Sequence, residues 1–136
     1  MRRTAALLFL ALTLVVVVAS AGSPHFVSNT VQISRSGNTL TVSGKEAGLG
    51  NEEQVHIVLA ATAECINGGG RHPRAANKMS VSSAGDFPVQ NGRANFTLTV
   101  TATFQPNCSP PMTVRFTHVT LTDTTNGISR DFSGTF

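Results

Sequence analysis

The residues best suited to chemistry lie in one stretch: Cys65-Ile66-Asn67-Gly68-Gly69-Gly70-Arg71-His72-Pro73-Arg74-Ala75-Ala76-Asn77-Lys78. Three consecutive glycines free the backbone to adopt unusual angles and to approach a ligand closely. Arg71, His72, Arg74 and Lys78 form the one basic cluster of the chain, and a glycine-rich loop with cationic neighbours can hold an anion. The stretch lacks Walker spacing and no helix pattern follows it, which argues against a nucleotide loop. It reads as a candidate binding site made of Asn67, Arg71, His72, Arg74 and Lys78. The plain alternative is a solvated connector tethered by its cysteine.

Other chemistry has weaker support. Catalysis by a carboxylate pair needs two acids that converge. Glu52 and Glu53 are adjacent, so their side chains diverge, and Glu64, Asp86, Asp123 and Asp131 are scattered and read as solvated charges. No G-x-S-x-G elbow marks a serine nucleophile. His25, His56, His72 and His118 have no metal-ligand spacing. His25 would be an amino-terminal copper ligand only after cleavage behind Pro24, a poor peptidase site. His56 is expected in a strand as a core or edge histidine. The chain has neither Trp nor Tyr, so the aromatic platforms of many sugar-binding domains are missing. Asn95-Phe96-Thr97 is a glycosylation sequon. No metal or cofactor is expected.

The amino terminus sets the compartment. Arg2 and Arg3 precede an apolar run from Ala5 to Ala19, and Ala19-Ser20-Ala21 offers a small-x-small cleavage site. That order is a secretory signal peptide over residues 1–21, leaving Gly22 as the first mature residue. The run is too short for a membrane span, which needs about 20 apolar residues. The full chain of 136 residues carries 10 basic and 7 acidic side chains. Without Arg2 and Arg3 the mature 115 residues carry 8 against 7, a balance that offers nucleic acid little. Exported Cys65 and Cys108 should pair in an oxidising compartment. Closing that loop is worth about 4 kcal/mol by chain entropy.

Positioning these groups falls to strands, because alternation at period two recurs while helical periodicity is absent. Val31 and Ile33, a Ser36-Gly37-Asn38 turn, then Leu40 and Val42 outline a hairpin. Gln54 to Glu64 is apolar on both parities, the pattern of a central strand covered on both faces. A short strand is expected near Lys78–Ser82 and another at Phe87 and Val89, broken by Pro88. Asn91-Gly92 signals a hairpin turn. After it, Ala94, Phe96, Leu98, Val100, Ala102 and Phe104 point one way and Asn95, Thr97, Thr99, Thr101 and Thr103 the other. Val114 and Phe116 share one parity but Val119 and Leu121 the opposite one, which predicts a β-bulge near Thr117-His118. Asn126-Gly127 turns the chain into a last strand, Ile128–Phe132. Some seven short strands read as an all-β, immunoglobulin-like two-sheet antiparallel β-sandwich with one disulfide, residues 22–136 forming a single domain. A small barrel is the alternative.

Ser23-Pro24-His25-Phe26, Lys45-Glu46-Ala47-Gly48-Leu49, Cys65-Ile66-Asn67-Gly68-Gly69-Gly70, Ala76-Asn77-Lys78, Cys108-Ser109-Pro110-Pro111 and Asp123-Thr124-Thr125-Asn126-Gly127 together resemble an uncharacterised group of small secreted proteins of actinomycetes and fungi. The resemblance implies secretion and a shared fold, and no particular activity. The functional expectation is therefore a secreted binding or interaction module at the cell surface or in the medium. Its partner would be an anionic cell-wall polymer or an acidic protein surface, with no nucleic acid and no membrane after signal cleavage. A small secreted hydrolase or metal-dependent enzyme is one alternative, and a structural cell-surface protein another.

Overall fold

The computed structural model describes residues 22–67 and 77–136. Eight strands follow one another: β1 (His25–Phe26), β2 (Gln32–Ser36), β3 (Thr39–Ala47), β4 (Gln54–Ile66), β5 (Lys78–Pro88), β6 (Ala94–Thr101), β7 (Thr113–Asp123) and β8 (Ile128–Phe132). A single 3-10 turn, Ser28–Thr30, separates β1 from β2. Every pairing is antiparallel. In the first sheet β3 is central, with β6 along one edge and β1 and β2 sharing the other. In the second the order is β5-β4-β7-β8. The chain is thus an all-β two-sheet sandwich. Among the described residues no helix is long and apolar enough to cross a membrane.

The alternation read from the sequence sets which side chains enter the core. On β6, Ala94, Phe96, Leu98 and Val100 are buried while Asn95, Thr97, Thr99 and Thr101 are exposed. They meet Leu40 and Val42 of β3, Val55, Ile57 and Leu59 of β4, and Phe116, Val119 and Leu121 of β7. Phe96 packs edge-on against Phe26 and Phe87, with ring centroids 5.7 and 6.2 Å apart. On the outer face of the first sheet, threonines pair across strands: Thr39 with Thr101 and Thr41 with Thr99, both at 3.1 Å between hydroxyl oxygens. Such cross-strand pairs each contribute a few tenths of a kcal/mol, up to about 1.

The predicted bulge is present. Ala60 pairs with Thr120 but Thr62 pairs with Thr117, so β7 carries one extra residue there. His118 absorbs it with a positive φ of 51°. The slip lets Phe116 and Val119, three apart, both face inward. Beyond the bulge, the backbone of the last residue, Phe136, exchanges two hydrogen bonds with Phe116 at 2.9 and 3.0 Å.

Three expectations change. Lys78 to Pro88 form one continuous strand, because Pro88 stands at the end of an edge strand where no ladder donor is needed. The Asn91-Gly92 turn, closed by the Gln90–Arg93 bridge, passes the chain from the second sheet to the first, so β5 and β6 do not form a hairpin ladder. The outer parity of β4, including Val58 and Ala60, is half-buried, and among the described residues no second layer covers it. Its shelter is lateral, from Ala84 and Ser82 of β5 and Thr122 and Thr120 of β7.

Candidate functional site

β4 ends where β7 begins, and the loop after β6 returns to the same place. There Cys65 and Cys108 form the expected disulfide, with Cα atoms 5.8 Å apart. The bridged sulfur of Cys65 also lies 3.8 Å from the thioether of Met112. That is a packing contact, since a disulfide sulfur has no proton to donate. The start of the loop is clamped by Asn38, whose side-chain amide donates to the carbonyl of Ala102 at 2.8 Å while its own carbonyl accepts from the Ala102 amide at 2.9 Å. Between the β2–β3 turn and this loop lies an open groove of about 480 Å³, bordered by Arg35, Asn38, Phe104, Asn107, Cys108 and Met112. Arg35 is exposed at its rim, its guanidinium donating to the Gly37 carbonyl at 3.0 Å.

Of the five candidate binding residues, Arg71, His72 and Arg74 lie outside the described residues. Asn67 is exposed just past the end of β4. Lys78 opens β5, opposite Glu64. Its ammonium sits 3.5 Å from one oxygen of Glu64, and the Arg115 Nε donates to the other at 2.6 Å. Glu64 is therefore a buried, paired carboxylate and not a solvated charge, because β5, β4 and β7 place one cation on each side of it. Burial pushes its carboxyl up, but Arg115 and Lys78 together outweigh that and hold it below the usual carboxylate range. Part of Lys78's charge is thus already engaged within the sheet. Arg35 and Arg115, far from that stretch along the chain, also lie at the disulfide end, Arg35 at the rim of the groove and Arg115 beside Glu64.

The opposite end of the sandwich is acidic. Its centre contradicts the expectation that no two carboxylates converge and that Asp123 is solvated. Glu46 of β3 and Asp123 of β7 are both fully buried, facing each other across the gap between the sheets. Asp123 organises the β7–β8 turn: one oxygen accepts from the amides of Thr125 and Asn126 at 2.8 and 3.2 Å, the other from the Asn126 side chain at 2.6 Å. The same Asn126 amide donates to Glu52 at 3.0 Å. Both oxygens of Glu46 lack any such donor. Burial first, then Asp123 and then Glu52, push the Glu46 carboxyl up to about 8. A signal for the pair was present in the sequence. Glu46 continues the inward parity of Leu40 and Val42, and Asp123 that of Val119 and Leu121.

His56 belongs to neither core nor sheet edge. It stands on the outer face of the central strand β4, half-exposed, with its Nδ1 2.7 Å from Asp86 of β5. Asp86 is the one hydrogen-bond partner of the imidazole ring among the described residues. His118 projects from the bulge beside an open depression of about 640 Å³, shared with Asp131, Phe132 and the Ser133–Thr135 tail.

The motifs behind the resemblance gather at these two ends. Ser23–Phe26, Lys45–Leu49 and Asp123–Gly127 meet at the acidic end, while Cys65, Asn67, Lys78 and Cys108 meet at the disulfide end. The acidic end offers two carboxyls in the arrangement of an acid and its base, but sealed from solvent and so from any substrate. The disulfide end offers an open groove and a surplus of cations. Among the described residues no three of His, Cys, Asp and Glu stand together as metal ligands. No protein-family model matches the chain, and comparison with the curated proteins and with the solved structures finds no significant match.

Proposed function

We propose that this chain is a secreted binding module whose disulfide-tied end receives an anionic partner, a wall polymer or an acidic protein surface. The observation that carries the reading is the separation of charge along the sandwich. Arg35, Lys78 and Arg115 collect at the disulfide end against the single acid Glu64. Glu46, Glu52, Glu53, Asp86 and Asp123 lie at the other, where they outnumber Lys45 and Arg93. Arg71 and Arg74 stand in the sequence between Asn67 and Asn77, outside the described residues. A molecule so polarised orients its basic end toward a negative surface, and short-range pairing there follows. The loop that borders the groove is held at its base by the disulfide and by Asn38, which reduces the conformational freedom lost on binding.

The strand path supports the immunoglobulin-like form of this reading. β1 and β2 act as one interrupted edge strand, so the sheets read as three strands facing four, with the chain changing sheets between β3 and β4, β5 and β6, and β6 and β7. Domains of that architecture present binding loops at their ends. Export and the resemblance to secreted actinomycete and fungal proteins belong to the same proposal, and the disulfide accords with them.

The test compares the wild type with an Arg35→Ala, Arg71→Ala, Arg74→Ala variant for retention on cell-envelope fractions at low and high salt. The wild type should be retained at low salt and released at high salt, and the variant should lose retention. Equal retention of both proteins would move the site elsewhere. Leaving Lys78 in place keeps Glu64 paired.

A further inference from the structure

We propose that Glu46 and Asp123 share one proton and form a proton-locked clasp between the two sheets, which loosens as the medium passes from acid to mildly alkaline. Two ionised carboxylates cannot face each other in a dry core. Each loses its hydration, and their mutual repulsion is little screened there. A metal ion would be the other remedy, but among the described residues no three of His, Cys, Asp and Glu stand together to hold one. That leaves a proton, and the hydrogen bonds say which residue carries it. Asp123 accepts from two backbone amides and one side-chain amide, which favours its charged form. Glu46 accepts from none of its neighbours. Protonated Glu46 therefore donates to Asp123, and the proton belongs to the pair.

The position gives the proton leverage. Glu46 lies where β3 is flanked by Phe26 of β1 and Ala94 of β6, neither of which titrates. Asp123 is the last residue of β7 and the organiser of the turn after it. Glu52, from the connection between β3 and β4, is the third group bearing on Glu46, and it is also acidic. The nearest charges by sequence and pairing, His25, Lys45 and Arg93, are exposed, and none offsets Glu46. The His56–Asp86 pair lies on the outer face of the second sheet. Loss of the proton thus sets two sheets apart at one end with no cation to compensate.

The direction follows from linkage. The Glu46 carboxyl is raised from 4.5 in the unfolded chain to about 8 in the folded one. Below 4.5 both states hold the proton. Between those two values the folded protein holds a proton that the unfolded chain has released, so each pH unit lowers the folding equilibrium constant by about tenfold. Above the upper value the loss levels off.

The experiment is urea unfolding of the wild type and of Glu46→Gln from about pH 5 to pH 9, with and without millimolar calcium. Gln places an amide donor where the proton was, so the variant should fold, hold its stability level over the range, and exceed the wild type at the alkaline end. The wild type should lose about tenfold per pH unit until the curve flattens. Parallel curves for the two proteins would overturn the proposal. So would a wild-type stability restored by calcium at the alkaline end but unaffected in the variant, because the pair would then be a cation site. A second readout needs no variant: the infrared band of a protonated carboxyl should be present in the folded wild type at neutral pH and vanish through the same transition. Its absence at neutral pH would refute the shared proton.

Discussion

Replacing Gly48 by alanine should detach the amino-terminal strand, whereas the same change at Gly37 should not. Both glycines have positive φ, 75° and 58°, so an alanine at either bears the left-handed penalty of about 1–2 kcal/mol. Their surroundings differ. A Cβ on Gly37 would meet nothing within 4 Å, while one on Gly48 would lie 2.1 Å from the carbonyl oxygen of Ser23 and 2.6 Å from its carbon. Those atoms are backbone and cannot rotate away. The segment Ser23–Pro24 must lift, and with it the pairing of His25 and Phe26 with Ala47 and Glu46. Phe26 is 6 % exposed, and returning such a side chain to water costs about 1.5–3 kcal/mol. Gly48→Ala should therefore cost about 2.5–5 kcal/mol against about 1–2 for Gly37→Ala, by adding the strand's loss to the backbone penalty. Urea unfolding of both variants gives the two values, and amide exchange at Phe26 and Val27 shows whether β1 has come away. Equal costs, or Gly48→Ala with Val27 still protected by its 2.9 Å bond to Lys45, would refute the packing argument.

Two further outcomes follow. Leu98→Ala should cost about 2–5 kcal/mol and Thr99→Ala well under 1, measured by the same unfolding, because Leu98 is buried while Thr99 is exposed on the outer face. Arg115→Ala should be more costly at neutral pH than in acid: Glu64 is held below its usual range when folded, so its contribution is present above about 4.5 and lost as pH falls through the lower folded value. Removing Arg115 leaves a buried carboxylate with only Lys78 at 3.5 Å, and its titration followed by NMR should move upward. An unchanged titration would mean that Lys78 alone sets the charge of Glu64.

Strand content, core parity and the staple were legible in the residues because they depend on local geometry. Side chains two apart share a face, so Phe96, Leu98 and Val100 could be assigned inward and Thr97 and Thr99 outward without knowing what they met. The slip from Phe116 to Val119 marked an extra residue for the same reason. With two cysteines in the sequence, each had the other as its one possible partner within the chain. Parity says which face a residue occupies, but not which residue of the other sheet lies opposite. That is why Glu46 and Asp123, separated by most of the domain, were each visible as an acid on an inward parity and yet not as a pair. Register between neighbouring strands was hidden in the same way. It placed Lys78 and Arg115 on either side of Glu64 and brought Arg35 to the rim of the groove beside Cys108. The chain's own alternation therefore determined what each strand buries. Only the stacking of one sheet on the other, through contacts distant in sequence, decided which charges meet, which are shielded, and at which end of the sandwich each sign of charge collects.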